Sequence, residues 1–148
     1  MKIEDEIKQP KFKSVHQKAV VNLIFTAGWV QGKQQDLFKP FGITSQQFNI
    51  LRILKGQYPK TISATEIKSR MLDKNSDVSR LLDRLAAKGL IDKQTCPNDK
   101  RQSDVQITKA GLDILTELDK KQKVIDHVQA LSEKEADELS NLLDKLRG

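Results

Sequence analysis

Two arginines one helical turn apart, Arg80 and Arg84, lie on the polar side of the stretch Val78-Ser-Arg-Leu-Leu-Asp-Arg-Leu85. An arginine offers five donors in a planar fork, so this pair can contact base edges or phosphates. It can also make ordinary surface ion pairs with Asp77 or Asp83. Asn75, Ser76 and Ser79 sit at the start of the same stretch. The serines can either cap a helix or touch nucleic acid, whereas Asn75, which opens the helix, points to contact. A second basic pair, Lys100 and Arg101, follows the turn formers Pro97, Asn98 and Asp99. At a hairpin tip it would keep an edge strand soluble, or reach an adjacent groove or backbone of a duplex.

These groups need elements to position them, and the hydrophobic pattern supplies candidates. Val78, Leu81, Leu82, Leu85 and Ala86 share one helical face, with Ser76, Ser79, Arg80, Asp83, Arg84 and Ala87 opposite. The helix is expected to begin at Ser76, whose hydroxyl would accept from the amide of Ser79 or its neighbour, and to end at Gly89. Ile91 to Thr95 and Asp104 to Thr108 read as two strands, with Val105 and Ile107 alternating with polar residues. The loop between them holds Pro97, Asn98 and Asp99.

Upstream, residues 14 to 37 carry a long helical pattern in Val15, Ala19, Val20, Leu23, Ile24, Ala27 and Val30, broken by Pro40 and Gly42. The glycine-rich run Thr26-Ala-Gly-Trp-Val-Gln-Gly32 implies a bend or a close helix crossing near Gly28. Thr44 or Ser45 can cap the next helix, whose apolar set is Phe48, Ile50, Leu51, Ile53 and Leu54, and Tyr58-Pro59 ends it. Ile62-Ser63 leads into a short helix with Ile67 and Met71 facing inward, and the turn Leu72-Asp-Lys-Asn75 follows. Downstream, Lys109 to Val128 carries Leu112, Leu115, Leu118, Ile125 and Val128. Ser132 and Glu135 make a capping box for a last helix striped by Leu139, Leu142, Leu143 and Leu146, with Leu131 placed to staple against Ala136. A small lobe has nothing to cover such a stripe, and a second copy of the chain is the simplest cover.

Other chemistry is poorly supplied. Two histidines and one cysteine, far apart, are a thin stock for a metal site or a nucleophile, and no acid/base constellation appears among the 20 carboxylates. The expectation is therefore no enzyme, no cofactor and no metal. No apolar run approaches the roughly 18 residues of a membrane span, the start is too charged for a signal peptide, and a single cysteine suits a reducing cytoplasm. The net charge of +6 is unevenly spread. Residues 1–65 hold ten basic against four acidic residues, 66–108 nine against seven, and 109–148 seven against nine. The positive excess thus lies outside the last two helices, as expected if they face something other than a polyanion.

A helix that stops at glycine and runs into a basic-tipped hairpin is the order a winged helix-turn-helix requires. The expected fold is mainly α with a small β-hairpin wing, a winged helix-turn-helix. Residues 1–148 are expected to form one domain, with a winged helix-turn-helix lobe at 44–108. Leu112, Leu115, Leu118, Leu139, Leu142, Leu143 and Leu146 are the expected dimer contacts. His16, Trp29, Phe38 and Tyr58 could line an effector pocket or simply serve as core. Cys96, on a wing strand without a resolving partner, reads as an incidental residue rather than a redox sensor.

Three motifs resemble the MarR family of bacterial transcriptional regulators: Val78-Ser-Arg-Leu-Leu-Asp-Arg-Leu85 with Lys88-Gly-Leu-Ile91, Asn98-Asp-Lys-Arg101 closing at Ile107-Thr108, and Leu131-Ser-Glu-Lys-Glu-Ala-Asp-Glu-Leu139. The resemblance covers roughly residues 14 to 147. It implies an obligate homodimer, a winged helix-turn-helix on a helical dimerisation base, with the DNA-binding lobes (44–108) hung from the dimerisation region (14–38 and 109–147) and often an effector pocket between base and lobe. It also implies that Arg101 enters a minor groove and that Asp99 supports the wing by orienting Arg101. The function so expected is a homodimeric, sequence-specific regulator of transcription, a ligand-responsive repressor on an inverted-repeat operator in double-stranded DNA. The alternative is a winged-helix module that binds another polypeptide and no DNA, and salt dependence of binding separates the two.

Overall fold

The polar leader gives way to helix at Ser14, whose hydroxyl accepts from the amide of Gln17 at 3.0 Å. The structure, a computed structural model, describes residues 1–96, 99–121 and 130–148, with the backbone alone for residues 95, 96 and 99–102. The chain divides into two compact units, Met1–Ser45 and Gln46–Gly148.

The first unit holds a short helix α1 (Ile3–Glu6) and the long helix α2 (Val15–Phe38). The apolar pattern on α2 predicted its helicity but does not mark residues buried within one chain: Val20, Leu23, Ile24, Phe25 and Trp29 are all exposed. No described element crosses closely at Gly28, where a crossing or a bend was expected. The helix runs unbroken, and a Cβ on Gly28 would meet no atom within 4 Å. Pro40 sits in a 3-10 turn, Lys39–Phe41, which ends at Gly42 in left-handed geometry with φ of +67°.

The second unit holds α3 (Ser45–Gln57) from its second residue onward, then β1 (Ile62–Ser63), α4 (Ala64–Arg70), α5 (Val78–Ala87), β2 (Ile91–Cys96), β3 (Asp99–Ile107), α6 (Lys109–Lys121) and α7 (Glu133–Arg147). Ser45 lies inside α3 and its buried hydroxyl has no hydrogen-bond partner, so it is not the cap. The strands form one antiparallel sheet in the order β1-β3-β2. Ile91 pairs with Ile107 and Lys93 with Val105, while Ile62 pairs with Val105 from the other side. Three features were not expected. Ile62-Ser63 is a strand, not only a lead-in to α4. The return strand starts at Asp99, five residues before the predicted Asp104. Asp99, Lys100 and Arg101 therefore have strand backbone, not loop backbone, because Cys96 pairs with Asp99.

Ile50, Leu51 and Leu54 of α3 are essentially fully buried, as are Ile67, Met71, Leu82, Leu85, Val105, Leu115 and Leu118. Burying an aliphatic side chain is worth roughly 1.5–3 kcal/mol, against about 0–1 for an exposed ion pair. The apolar face of α5 thus fixes the helix and leaves its polar face available. Arg52 of α3 bonds Asp119 of α6, with Lys55 at 3.6 Å from the same carboxylate. α7 carries the expected capping box: the amide of Glu135 donates to Ser132 Oγ at 3.3 Å, and the amide of Ser132 donates to Glu135 Oε2 at 2.8 Å. Ile125 and Val128, expected to extend the α6 helix, lie outside the described residues.

Candidate nucleic-acid interface

The turn before α5 decides which side chains reach the surface. Asp73 organises it, accepting from the amide of Asn75 at 2.9 Å and, through its carbonyl, from the amide and hydroxyl of Ser76 at 3.2 and 2.8 Å. From α3, Gln46 Nε2 donates to Asp73 Oδ2 at 3.0 Å, and Asn49 Oδ1 accepts from the amide of Leu72 at 2.9 Å. Neither Gln46 nor Asn49 was singled out from the sequence, since a polar residue on a helix gives no sign of which turn it braces.

Helix α5 is capped by Asp77, whose Oδ1 accepts from the amide of Arg80 at 3.2 Å. The expected cap, Ser76, lies one residue too early. It is 4% exposed and its hydroxyl is committed to Asp73, so it is removed from the candidate contacts. Asn75, Ser79, Arg80 and Arg84 are all exposed on one surface. Arg80 is 70% exposed in its side chain and lies 3.7 Å from Asp77 through Nε. A pair this open is worth at most about 1 kcal/mol, so it orients the guanidinium without holding it back from a phosphate or base. Arg84 enters no ion pair among the described residues. The carboxylate nearest to it in sequence, Asp83, is held instead by Lys93 of β2 at 2.8 Å, which ties the polar face of the helix to the sheet.

The end of α5 is locked to the base of the wing. Gly89 takes φ of +72°, and its amide bonds the Ala86 carbonyl at 2.9 Å while Leu90 bonds Leu85 at 3.1 Å. Thr108, where β3 ends, donates its hydroxyl to the Gly89 carbonyl at 2.7 Å and its amide to Leu90 at 3.1 Å. The same hydroxyl accepts from the amide of Gly111 at 3.2 Å and so starts α6. Gly111 has no room for a side chain: a Cβ there would lie 2.4 Å from the Leu90 carbonyl oxygen and 2.7 Å from Ile107 Cγ1. Helix, wing and α6 thus meet at one backbone crossing, which no spacing rule in the sequence announced. The side chains of Cys96, Asp99, Lys100 and Arg101 lie outside the described residues, so the supporting role expected of Asp99 and the groove contact expected of Arg101 are not placed here.

The remaining candidates divide. Leu139, Leu142 and Leu146 of α7 are exposed at 45%, 64% and 62%, and Leu143 and Leu112 are half-buried. Leu115 and Leu118 are fully buried within the chain, so they belong to its core and are withdrawn as dimer contacts. Trp29 lines a cavity of the first unit, whereas His16, which is exposed, and Phe38, which is buried, do not. Tyr58 is an exposed residue of the second unit. Among the described residues no three His, Cys, Asp or Glu side chains are grouped to hold a metal ion, and no helix is long and apolar enough to cross a membrane.

Known proteins share this arrangement. The sequence profile of the MarR family matches residues 43–103, which span the elements just described from α3 through most of the wing. A MarR transcription factor from Planctomyces limnophilus is 30% identical, superposes with a TM-score of 0.69, and is matched over 93% of this chain and 98% of that one. The transcriptional repressor MprA of Escherichia coli K12 is 29% identical over 112 residues, 74% of this chain, and the match spans 64% of that repressor's length. A complex of MepR with DNA from S. aureus has the same fold, with a TM-score of 0.74 at 20% identity over 92% of this chain and 97% of that one. The mainly helical winged fold is that of the two solved structures, and the chain belongs to the MarR family.

Proposed function

We propose that this chain is a sequence-specific DNA-binding regulator of transcription, acting as a homodimer and repressing from an inverted-repeat operator until a small ligand releases it. The observation that carries the reading is the exposed row Asn75, Ser79, Arg80 and Arg84 on a helix whose opposite face buries Val78, Leu81, Leu82 and Leu85. A helix of that width fits the major groove, where an arginine can donate two bonds to one guanine. The wing extends from the end of that helix and brings Lys100 and Arg101 to an adjacent groove or backbone. Residues 44–108 are then the DNA-binding lobe, and residues 14–38 and 109–147 the dimerisation region.

Dimerisation is supported by two uncovered apolar stripes, Val20 to Trp29 on α2 and Leu139 to Leu146 on α7. A monomer would expose both to water, and a second copy is the symmetric way to cover them. Two-fold symmetry in turn demands an operator with two half-sites, their centres about 10–10.5 bp apart or a multiple of that. The repressor role rests on similarity to MprA, and release by a ligand on the family relationship. Selection of bound fragments from random duplexes by purified protein tests the reading. Enrichment of an inverted repeat supports it. No enrichment, together with capture of a polypeptide whose binding is indifferent to salt, favours a protein-interaction module instead.

A further inference from the structure

Residues 72–77, which lead into α5, have neither helical nor strand backbone, so no ladder of main-chain bonds holds them. They run between two buried apolar anchors, Met71 and Val78, and they carry the exposed Asn75 and the cap residue Asp77. Helix α3 grips this segment at two points from one face, because Gln46 and Asn49 stand three residues apart on it. Gln46 Nε2 donates to Asp73 Oδ2 at 3.0 Å and lies 3.4 Å from Ser76 Oγ. Asn49 Oδ1 accepts from the amide of Leu72 at 2.9 Å. The grip comes from a firmly seated element, since Ile50, Leu51 and Leu54 on the same helix are buried.

Asp73 passes that grip to the contact residues. While Oδ2 accepts from Gln46, Oδ1 accepts from the amide of Asn75 at 2.9 Å, and the Asp73 carbonyl accepts from the Ser76 hydroxyl at 2.8 Å. Gln46 thus acts on Asn75 through one carboxylate with both oxygens in use. We infer that Gln46 and Asn49 are positioning residues for DNA recognition: they order the turn in the free protein, so that Asn75 and the start of α5 meet the operator already in place. The inference rests on the DNA-binding reading of α5 and adds to it residues that act without touching DNA. Ordering one backbone residue only on binding costs roughly tenfold in affinity. The brace therefore favours an operator, which needs Asn75 and Arg80 in register, over random DNA, which needs only phosphate contacts.

Two measurements on the full chain test it. The first is amide hydrogen exchange, read by NMR in the free, unaltered protein. The amides of Leu72 and Asn75 are both bonded within the brace and should exchange about tenfold or more slowly than in an unfolded peptide. Exchange at the unfolded rate overturns the proposal. The second measures affinity for the selected operator and for a random duplex in the unaltered protein, in Gln46→Glu and in the double variant Gln46→Glu/Asp73→Asn. Gln46→Glu sets one carboxylate against another and should cut the operator-to-random ratio by about tenfold. The double variant again faces one donor with one acceptor, reversed in direction and at the original net charge, and should recover the ratio to within about threefold. A merely structural loss, or simple repulsion of DNA by the added charge, would lower both affinities together and leave the ratio unchanged, which overturns the proposal. A fallen ratio that the double variant does not recover also overturns it. Amide exchange needs no variant, so it decides the matter if Gln46→Glu does not fold. Failure of the DNA reading looks different: the unaltered protein would bind both duplexes alike, which removes the recognition role, while the Leu72 and Asn75 amides would still be protected.

Discussion

Adding one methyl group at Gly111 should destabilise the protein, although the same change is normally favourable in a helix. Alanine is preferred to glycine in a helix interior by about 1 kcal/mol, and less in a first turn, where Gly111 sits. Against that gain stands a Cβ placed 2.4 Å from the Leu90 carbonyl oxygen and 2.7 Å from Ile107 Cγ1. Neither neighbour is a flexible tip. The Leu90 carbonyl accepts from Thr108 at 3.1 Å, so moving it strains the joint between α5, β3 and α6. Overpacking of this kind costs about 1–3 kcal/mol, and a weakened hydrogen bond adds about 0.5–1.5. The clash wins, and the net loss expected for Gly111→Ala is about 1–3 kcal/mol. Gly56→Ala is the matched control, since a Cβ on Gly56 of α3 meets nothing within 4 Å, and it should gain about 0.5–1 kcal/mol. Urea unfolding followed by circular dichroism, at one fixed protein concentration, measures both. If Gly111→Ala were as stable as the unaltered chain, the backbone crossing described here would be wrong.

Three further outcomes follow from other parts of the chain. Leu142→Asp places a carboxylate on the exposed stripe of α7; sedimentation should show dissociation to monomer at micromolar concentration, and an unchanged dimer would remove this stripe from the interface. Glu135 has its carboxyl held below the ordinary range by the amide and hydroxyl of Ser132. The stability this gives α7 is present above the unfolded glutamate pKa and is lost as pH falls through the lower, folded value; an NMR titration in which Glu135 protonates at or above a free glutamate's pKa would contradict it. Arg101→Ala should weaken binding to all duplexes alike and reduce the salt slope by about one charge unit, read by fluorescence anisotropy; a loss confined to one sequence would assign Arg101 to base recognition.

Much of the fold was legible because its signals are periodic. The face of α5, the stop at Gly89 and the capping box at Ser132 each rest on a spacing that one physical rule explains. The errors arose where geometry between elements decides. Ser76 and Asp77 both accept caps readily, and only the position of the Asp73 turn gives the cap to Asp77 and buries Ser76. Leu115 and Leu118 have the same spacing as an interface stripe, but they face the chain's own core. The two-residue strand β1 is too short to show an alternation.

Whether the exposed face of α5 reads DNA turns on Arg80. Binding of the unaltered protein and of Arg80→Ala is measured on the selected operator and on a random duplex across a salt series. The side chain is 70% exposed, so its removal leaves the fold intact. The account predicts affinity that falls steeply with salt for the unaltered protein, and for Arg80→Ala a loss of about 1–3 kcal/mol on the operator but much less on random DNA. Operator affinity of Arg80→Ala equal to that of the unaltered protein, with both indifferent to salt, would contradict it.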